Sequence, residues 1–133
     1  MEFYQKTIRV IQEDLDDLQH VNNVRYLEWI QDISKDHWMS KAPDSIKKEV
    51  VWVVLSHHIS YKKPAFLGEE ITIKTFVAQN IGVTSKRIVE ISHPERGLLV
   101  RSETDWCLLN ASTLKPMRIP DSIKQLFIGA KTE

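Results

Sequence analysis

Between Asp14 and Trp29 the chain reads Asp-Leu-Asp-Asp-Leu-Gln-His-Val-Asn-Asn-Val-Arg-Tyr-Leu-Glu-Trp. Three carboxylates, one histidine and two adjacent amides are thus packed in front of an aromatic, apolar stretch. A carboxylate in such a place can attack an acyl carbonyl or take a proton from water. If a buried helix starts at the amides, its unpaired N–H groups can stabilise the oxyanion that develops. That chemistry suits an acyl thioester and requires neither a metal nor a redox cofactor. The bland alternative is a solvated acidic loop whose charges favour a helix start. His20 can equally be a half-buried structural histidine, and Asn22 and Asn23 can be helix caps, substrate contacts or both.

Other elements must hold these residues in place. Tyr4 to Ile11 is aromatic and β-branched and predicts a first strand. A helix is predicted from Asn22 or Asn23, where a short amide can cap free N–H groups. Tyr26, Ile30, Ile33 and His37 recur every three to four residues, and Trp29 and Trp38 widen the stripe, so one face of this helix is buried. It should end before Pro43. Val50 to Tyr61 opens with a continuous apolar run and predicts a central strand covered on both faces. Lys63 to Gly68 breaks it, and Ile71, Ile73 and Thr75 begin the next strand. Asn80-Ile81-Gly82 signals a turn. Ser85 to Ser92 and Leu98 to Leu109 predict a hairpin around His93-Pro94-Glu95-Arg96-Gly97. A short helix is expected within Pro120 to Ile128. Five strands and one long apolar helix give an α+β layer, an antiparallel sheet with the helix against one face.

The 133 residues suit a single domain, 1–133, with one core. Lys plus Arg and Asp plus Glu both total 18. A neutral chain lacks the global electrostatic drive of a general nucleic-acid or anionic-membrane binder, and neither partner is expected. Cys107, the single cysteine, cannot form an intrachain disulfide, which fits a reducing cytoplasm. The opening residues lack a signal-peptide pattern, and the apolar run from Val50 to Leu55 is far too short to span a bilayer. The expected setting is cytoplasmic.

Several side chains invite functional readings that weigh differently. His57 and His58 are neighbours on a strand and point to opposite faces, so they cannot readily share one metal ion. One should face the helix or a cavity and the other solvent or a partner; we assign His58 to the substrate. Cys107 has no cationic neighbour in sequence and reads as a buried, inert thiol. Lys62, Lys63, Lys86 and Arg87 read as ordinary surface charges that could also meet CoA phosphates or an acidic carrier protein.

The Asp14–Trp29 segment resembles the signature of hotdog thioesterases of the 4-hydroxybenzoyl-CoA thioesterase type. It is especially similar to the acyl-carrier-protein thioesterase version, in which Asp-x-Asp is followed by His-Val-Asn-Asn and a Tyr-x-x-Trp helix. Tyr61-Lys62-Lys63-Pro64-Ala65-Phe66-Leu67-Gly68-Glu69 resembles that family's strand-to-turn element, and Thr113 to Pro120 its closing strand and proline. The resemblance implies a hotdog fold, an antiparallel sheet wrapped around one long central helix. It implies hydrolysis of a fatty or aromatic acyl-CoA or acyl-carrier-protein. Asp16 then matches the catalytic carboxylate and His20 the site histidine. Asn22, Asn23 and Val24 fall at the substrate-contacting helix start. It also implies a homodimer or homotetramer with sites between subunits. Gln19 departs from the pattern, since many relatives carry glycine there, and Leu18 stands where the plant branch has asparagine. Two other activities remain open on this reading: hydration or dehydration of an acyl thioester, and non-catalytic acyl-thioester binding.

Overall fold

The structure is a computed structural model and describes residues 2–128. Five strands form one antiparallel sheet: β1 (Phe3–Arg9), β2 (Val50–Tyr61), β3 (Glu70–Ile81), β4 (Thr84–His93) and β5 (Gly97–Asn110). Their spatial order is β1-β3-β4-β5-β2. The β4–β5 hairpin pairs His93 with Gly97 and Ile91 with Val100, within a residue of the expected boundaries.

The long helix α1 (Asn23–Lys41) begins where the amide signal placed it. Asn22 is extended at φ −63°, ψ 137°, and its side-chain oxygen accepts the Val24 N–H at 2.8 Å. The helix stops because Ala42 turns extended ahead of Pro43. Tyr26, Trp29, Ile30, Ile33 and His37 are buried along one stripe. The first four pack with Ile71 and Ile73 of β3, Val89 and Ile91 of β4, and Val100 of β5. This is the α+β hotdog arrangement, one sheet closed around one helix. Ile30 and Ile33 are wholly inaccessible; truncating such a side chain to alanine costs about 2–5 kcal/mol. A short helix α2 (Asp44–Lys47) leads into β2. At the end of the described chain, α3 (Asp121–Lys124) runs on into a 3-10 turn over Gln125–Phe127.

Two expectations are corrected. β2 is an edge strand, paired only with β5, not a central one. Its continuous apolar run arises because Trp52 and Val54 alternate with Val51 and Val53, which are exposed, as is Leu55 at 58%. Arg87 is not a surface charge. It shares the inward face of β4 with Ser85, Val89 and Ile91 and is only 6% exposed. Its Nη1 donates to His37 Nδ1 at 2.8 Å and Thr75 Oγ1 at 3.2 Å. Cys107 is buried and unpaired, beside the Leu108 carbonyl.

Candidate active site

The acidic segment joins β1 to α1 as a loop held by its own backbone. Leu15 bridges Val21, and His20 bridges Phe66. The Val21 N–H donates to Ala65 O at 3.1 Å, and the Asn22 N–H to Asp14 O at 2.8 Å. Tyr26, from the first turn of α1, accepts the Ala65 N–H on its hydroxyl at 3.1 Å. The loop, the helix start and the Pro64–Phe66 stretch therefore form one unit.

Within it, Asp16 closes a tight turn. Its backbone N–H donates to His20 O at 2.7 Å, and its carbonyl accepts the Gln19 N–H at 3.0 Å. Its side-chain Oδ1 accepts the N–H groups of Leu18 at 2.8 Å and His20 at 3.2 Å. These donors fix the position of the carboxylate. Gln19 reaches φ 62° in this turn, a left-handed conformation that glycine adopts without cost. That is the physical reason a glycine suits this position. His20 stacks edge-on against Phe66, with ring centroids 5.3 Å apart. Arg96 covers the Phe66 ring at 5.3 Å and is ion-paired with Glu69, which His93 also approaches at 3.2 Å. The sequence offered no sign of this Glu69–His93–Arg96 cluster, whose members come from the turn before β3, the end of β4 and the β4–β5 turn.

The three acids have different environments. Asp17 is exposed. Asp14, read above as solvated, is 3% exposed. It accepts the Ile11 N–H at 3.0 Å and the Arg25 Nε–H at 2.8 Å, a structural role in anchoring the loop. Asp16 is partly exposed.

At the helix start, Asn22 Oδ1 takes the Val24 N–H, and Asn22 O takes those of Arg25 and Tyr26. Among the described residues, the Asn23 N–H has no hydrogen-bond partner. Asn22, Asn23 and Val24 are all exposed. The expected set Asp16, His20, Asn22, Asn23 and Val24 thus lies in one continuous segment with an open donor at its end. His58 does not join it. His57 takes the helix-facing position, with Nδ1 2.7 Å from Thr104 Oγ1 and Nε2 3.4 Å from Gln31. His58, the next residue on the strand, is exposed on the opposite face.

A cavity of about 500 Å³ lies elsewhere, between the C-terminal half of α1, strands β2 to β5 and the segment from Ile123 to Phe127. None of the six expected site residues lines it.

The sequence profile of the thioesterase-like superfamily matches residues 10–127. The long-chain acyl-CoA thioesterase FadM of Escherichia coli is 26% identical over 132 residues, covering 91% of this chain and 94% of that protein. The crystal structure of YbaW from Escherichia coli, described as a probable thioesterase, superposes with a TM-score of 0.81 at 26% identity. That match covers 92% of this chain and 94% of the other. A chloroplastic acyl-acyl-carrier-protein hydrolase of Cuphea viscosissima is 24% identical over 87 residues, 64% of this chain. The match spans about a fifth (21%) of that plant protein's length. With the profile spanning nearly the whole fold, including the Asp16 loop and α1, the chain belongs to the thioesterase-like superfamily.

Proposed function

We propose that the protein hydrolyses an acyl thioester, an acyl-CoA or acyl-carrier-protein, with Asp16 as its catalytic carboxylate. The observation that carries this reading is the Asp16 turn. It holds a partly exposed carboxylate on two backbone N–H groups, ahead of a helix start whose Asn23 N–H is open. The carboxylate either attacks the carbonyl carbon or removes a proton from the attacking water. In both cases the carbonyl oxygen gains charge, which the Asn23 N–H and the positive end of α1 stabilise. Collapse of the tetrahedral intermediate breaks the carbon–sulfur bond. Water supplies the oxygen and hydrogen that complete the free acid and the thiol. His20, held against Phe66, orients the substrate or water, and Asn22, Asn23 and Val24 line the approach. The named activities of FadM and the plant hydrolase support the reaction class.

The unpaired edge of β2 and its exposed Val51, Val53 and Leu55 support a homodimer joined along that strand. The test of function is hydrolysis of CoA and carrier-protein thioesters of graded chain length, read by thiol release. Turnover on any of them supports the reading, and inactivity on all of them removes it.

A further inference from the structure

The Glu69–His93–Arg96 cluster lies against the candidate site, yet the proposed reaction gives it no part. His93 sets the turn that carries Arg96. Its Nδ1 accepts the N–H groups of Glu95 at 3.1 Å and Arg96 at 3.2 Å. The ring proton therefore sits on Nε2, which meets Glu69 Oε2 at 3.2 Å. Lys63 Nζ donates to Arg96 O at 2.8 Å. The Arg96 side chain is 30% exposed and that of Glu69 19%. An ion pair that water still reaches adds little stability, but a guanidinium fork fixes geometry.

Arg96 grips the Pro64–Phe66 stretch in three ways. Its Nη1 donates to Pro64 O at 3.1 Å, and its guanidinium carbon lies 5.3 Å over the Phe66 ring. Its Nη2 pairs with Glu69 Oε1, the same oxygen that accepts the Phe66 N–H at 2.7 Å. The Phe66 ring in turn meets His20 edge-on. His20 is joined to Asp16 in both directions. Its carbonyl accepts the Asp16 N–H at 2.7 Å, and its N–H donates to Asp16 Oδ1 at 3.2 Å. A line of contacts thus runs from Arg96 through Phe66 and His20 to Asp16. The backbone under Phe66 has other anchors. Ala65 is bonded to Val21 and Tyr26, and the Gly68 N–H donates to Val10 O at 2.9 Å. Phe66 itself is 40% exposed, so the core does not clamp its ring. What Arg96 decides is where that ring lies, and with it the imidazole of His20.

We propose that Arg96, braced by Glu69, is a positioning residue for the hydrolysis, holding the Phe66 ring against His20 and so setting the imidazole beside the Asp16 turn. This role rests on the reading of Asp16 and His20 given above. Arg96 acts through His20, so its removal should cost turnover only while His20 is present. A residue that merely stabilises the β4–β5 turn would change the unfolding midpoint and leave kcat alone.

The experiment compares wild type, Arg96→Met, His20→Ala and the double variant, with circular dichroism as the folding control. Arg96→Met should lower kcat about five-fold, within the coupling range of residues in contact, with KM little changed. In the His20→Ala background it should cost nothing further. A second readout needs no substrate. The His20 ring C–H resonance, identified by its loss in His20→Ala, is followed at about pH 9, where imidazoles are neutral. It should move in Arg96→Met, because the Phe66 ring beside it is released. Glu69→Gln keeps an acceptor for the Phe66 N–H but weakens the brace on Arg96. It should move kcat and the resonance less, in the same directions, and it decides the matter if Arg96→Met does not fold. An unmoved His20 resonance, an unchanged kcat in a folded Arg96→Met, or an equal loss with and without His20 would overturn the assignment. A wild type inactive on every thioester removes the hydrolytic reading and the catalytic role with it, while the resonance still decides whether Arg96 holds the ring.

Discussion

Asp14 and Arg25 form an ion pair, Oδ1 to Nε at 2.8 Å, that ties the loop before α1 to the first turn of the helix. The carboxylate is buried while the guanidinium is partly open to solvent. The hydrogen bond to Asp14 raises the Arg25 guanidinium above its ordinary range. Asp14 also receives the Ile11 N–H, so one side chain fixes both ends of the loop that carries Asp16.

Asp14→Asn should therefore act on stability. It keeps the shape but loses the charge, and Arg25 is hydrated enough to moderate the loss. The expected cost is roughly 1–3 kcal/mol, seen in denaturant unfolding. Turnover of the folded variant should fall less than in Asp16→Asn. An unchanged unfolding midpoint would show that the pair contributes nothing.

Acid should destabilise the protein through His37. Arg87 donates to Nδ1, so the ring proton sits on Nε2, facing Glu2, and the ring is neutral. Burial holds His37 below its ordinary value; the nearby Arg87 charge acts in the same sense, and Glu2 opposes it. In the unfolded chain the ring takes a proton as the pH falls below about 6.5, while the native ring resists. The contribution is fully present above that value and is lost as the pH falls towards the lower native one. Thermal unfolding followed from about pH 7.5 to 5 should show a falling midpoint. The slope should be shallower in His37→Gln, and an equal slope would count against this origin.

The β2 edge should hold two copies together. Leu55 is the most exposed of its apolar side chains, and a lysine there is a standard means of blunting a strand edge. Leu55→Lys should shift the protein from dimer to monomer in light scattering at micromolar concentration. A wild type that is already monomeric there would remove the dimer.

His20 should matter less than Asp16. Its ring is set by contact with Phe66, and its role is orientation, so His20→Ala should lower kcat by about ten-fold. Loss as complete as that of Asp16→Asn would assign it a direct part in bond-making.

Much of this arrangement was legible in the residues. Asn22 marks the helix start because an amide cap has a local geometry, and the stripe through Tyr26, Ile30 and Ile33 marks the buried face because its period is local too. The position of β2 was not legible, since an apolar run looks the same in a central strand and in an edge strand awaiting a partner. Arg87 was hidden by the adjacent Lys86, although its parity with Val89 and Ile91 was a usable signal for an inward side chain. His57 and His58 were known to face apart, but only the contact of His57 with Gln31 and Thr104 shows which faces the helix. Asp14 is set apart from Asp17 in part by Arg25, eleven residues away, and no local pattern reports that pair.

The most direct measurement is steady-state thioester hydrolysis by wild type and Asp16→Asn, with circular dichroism as the folding control. Asparagine retains a side-chain oxygen for the Leu18 and His20 N–H groups, so the turn should persist while the attacking or proton-accepting charge is lost. The account predicts a folded variant whose kcat falls by roughly 100-fold or more, with KM little changed. A folded Asp16→Asn that turns over at near wild-type rate would contradict it.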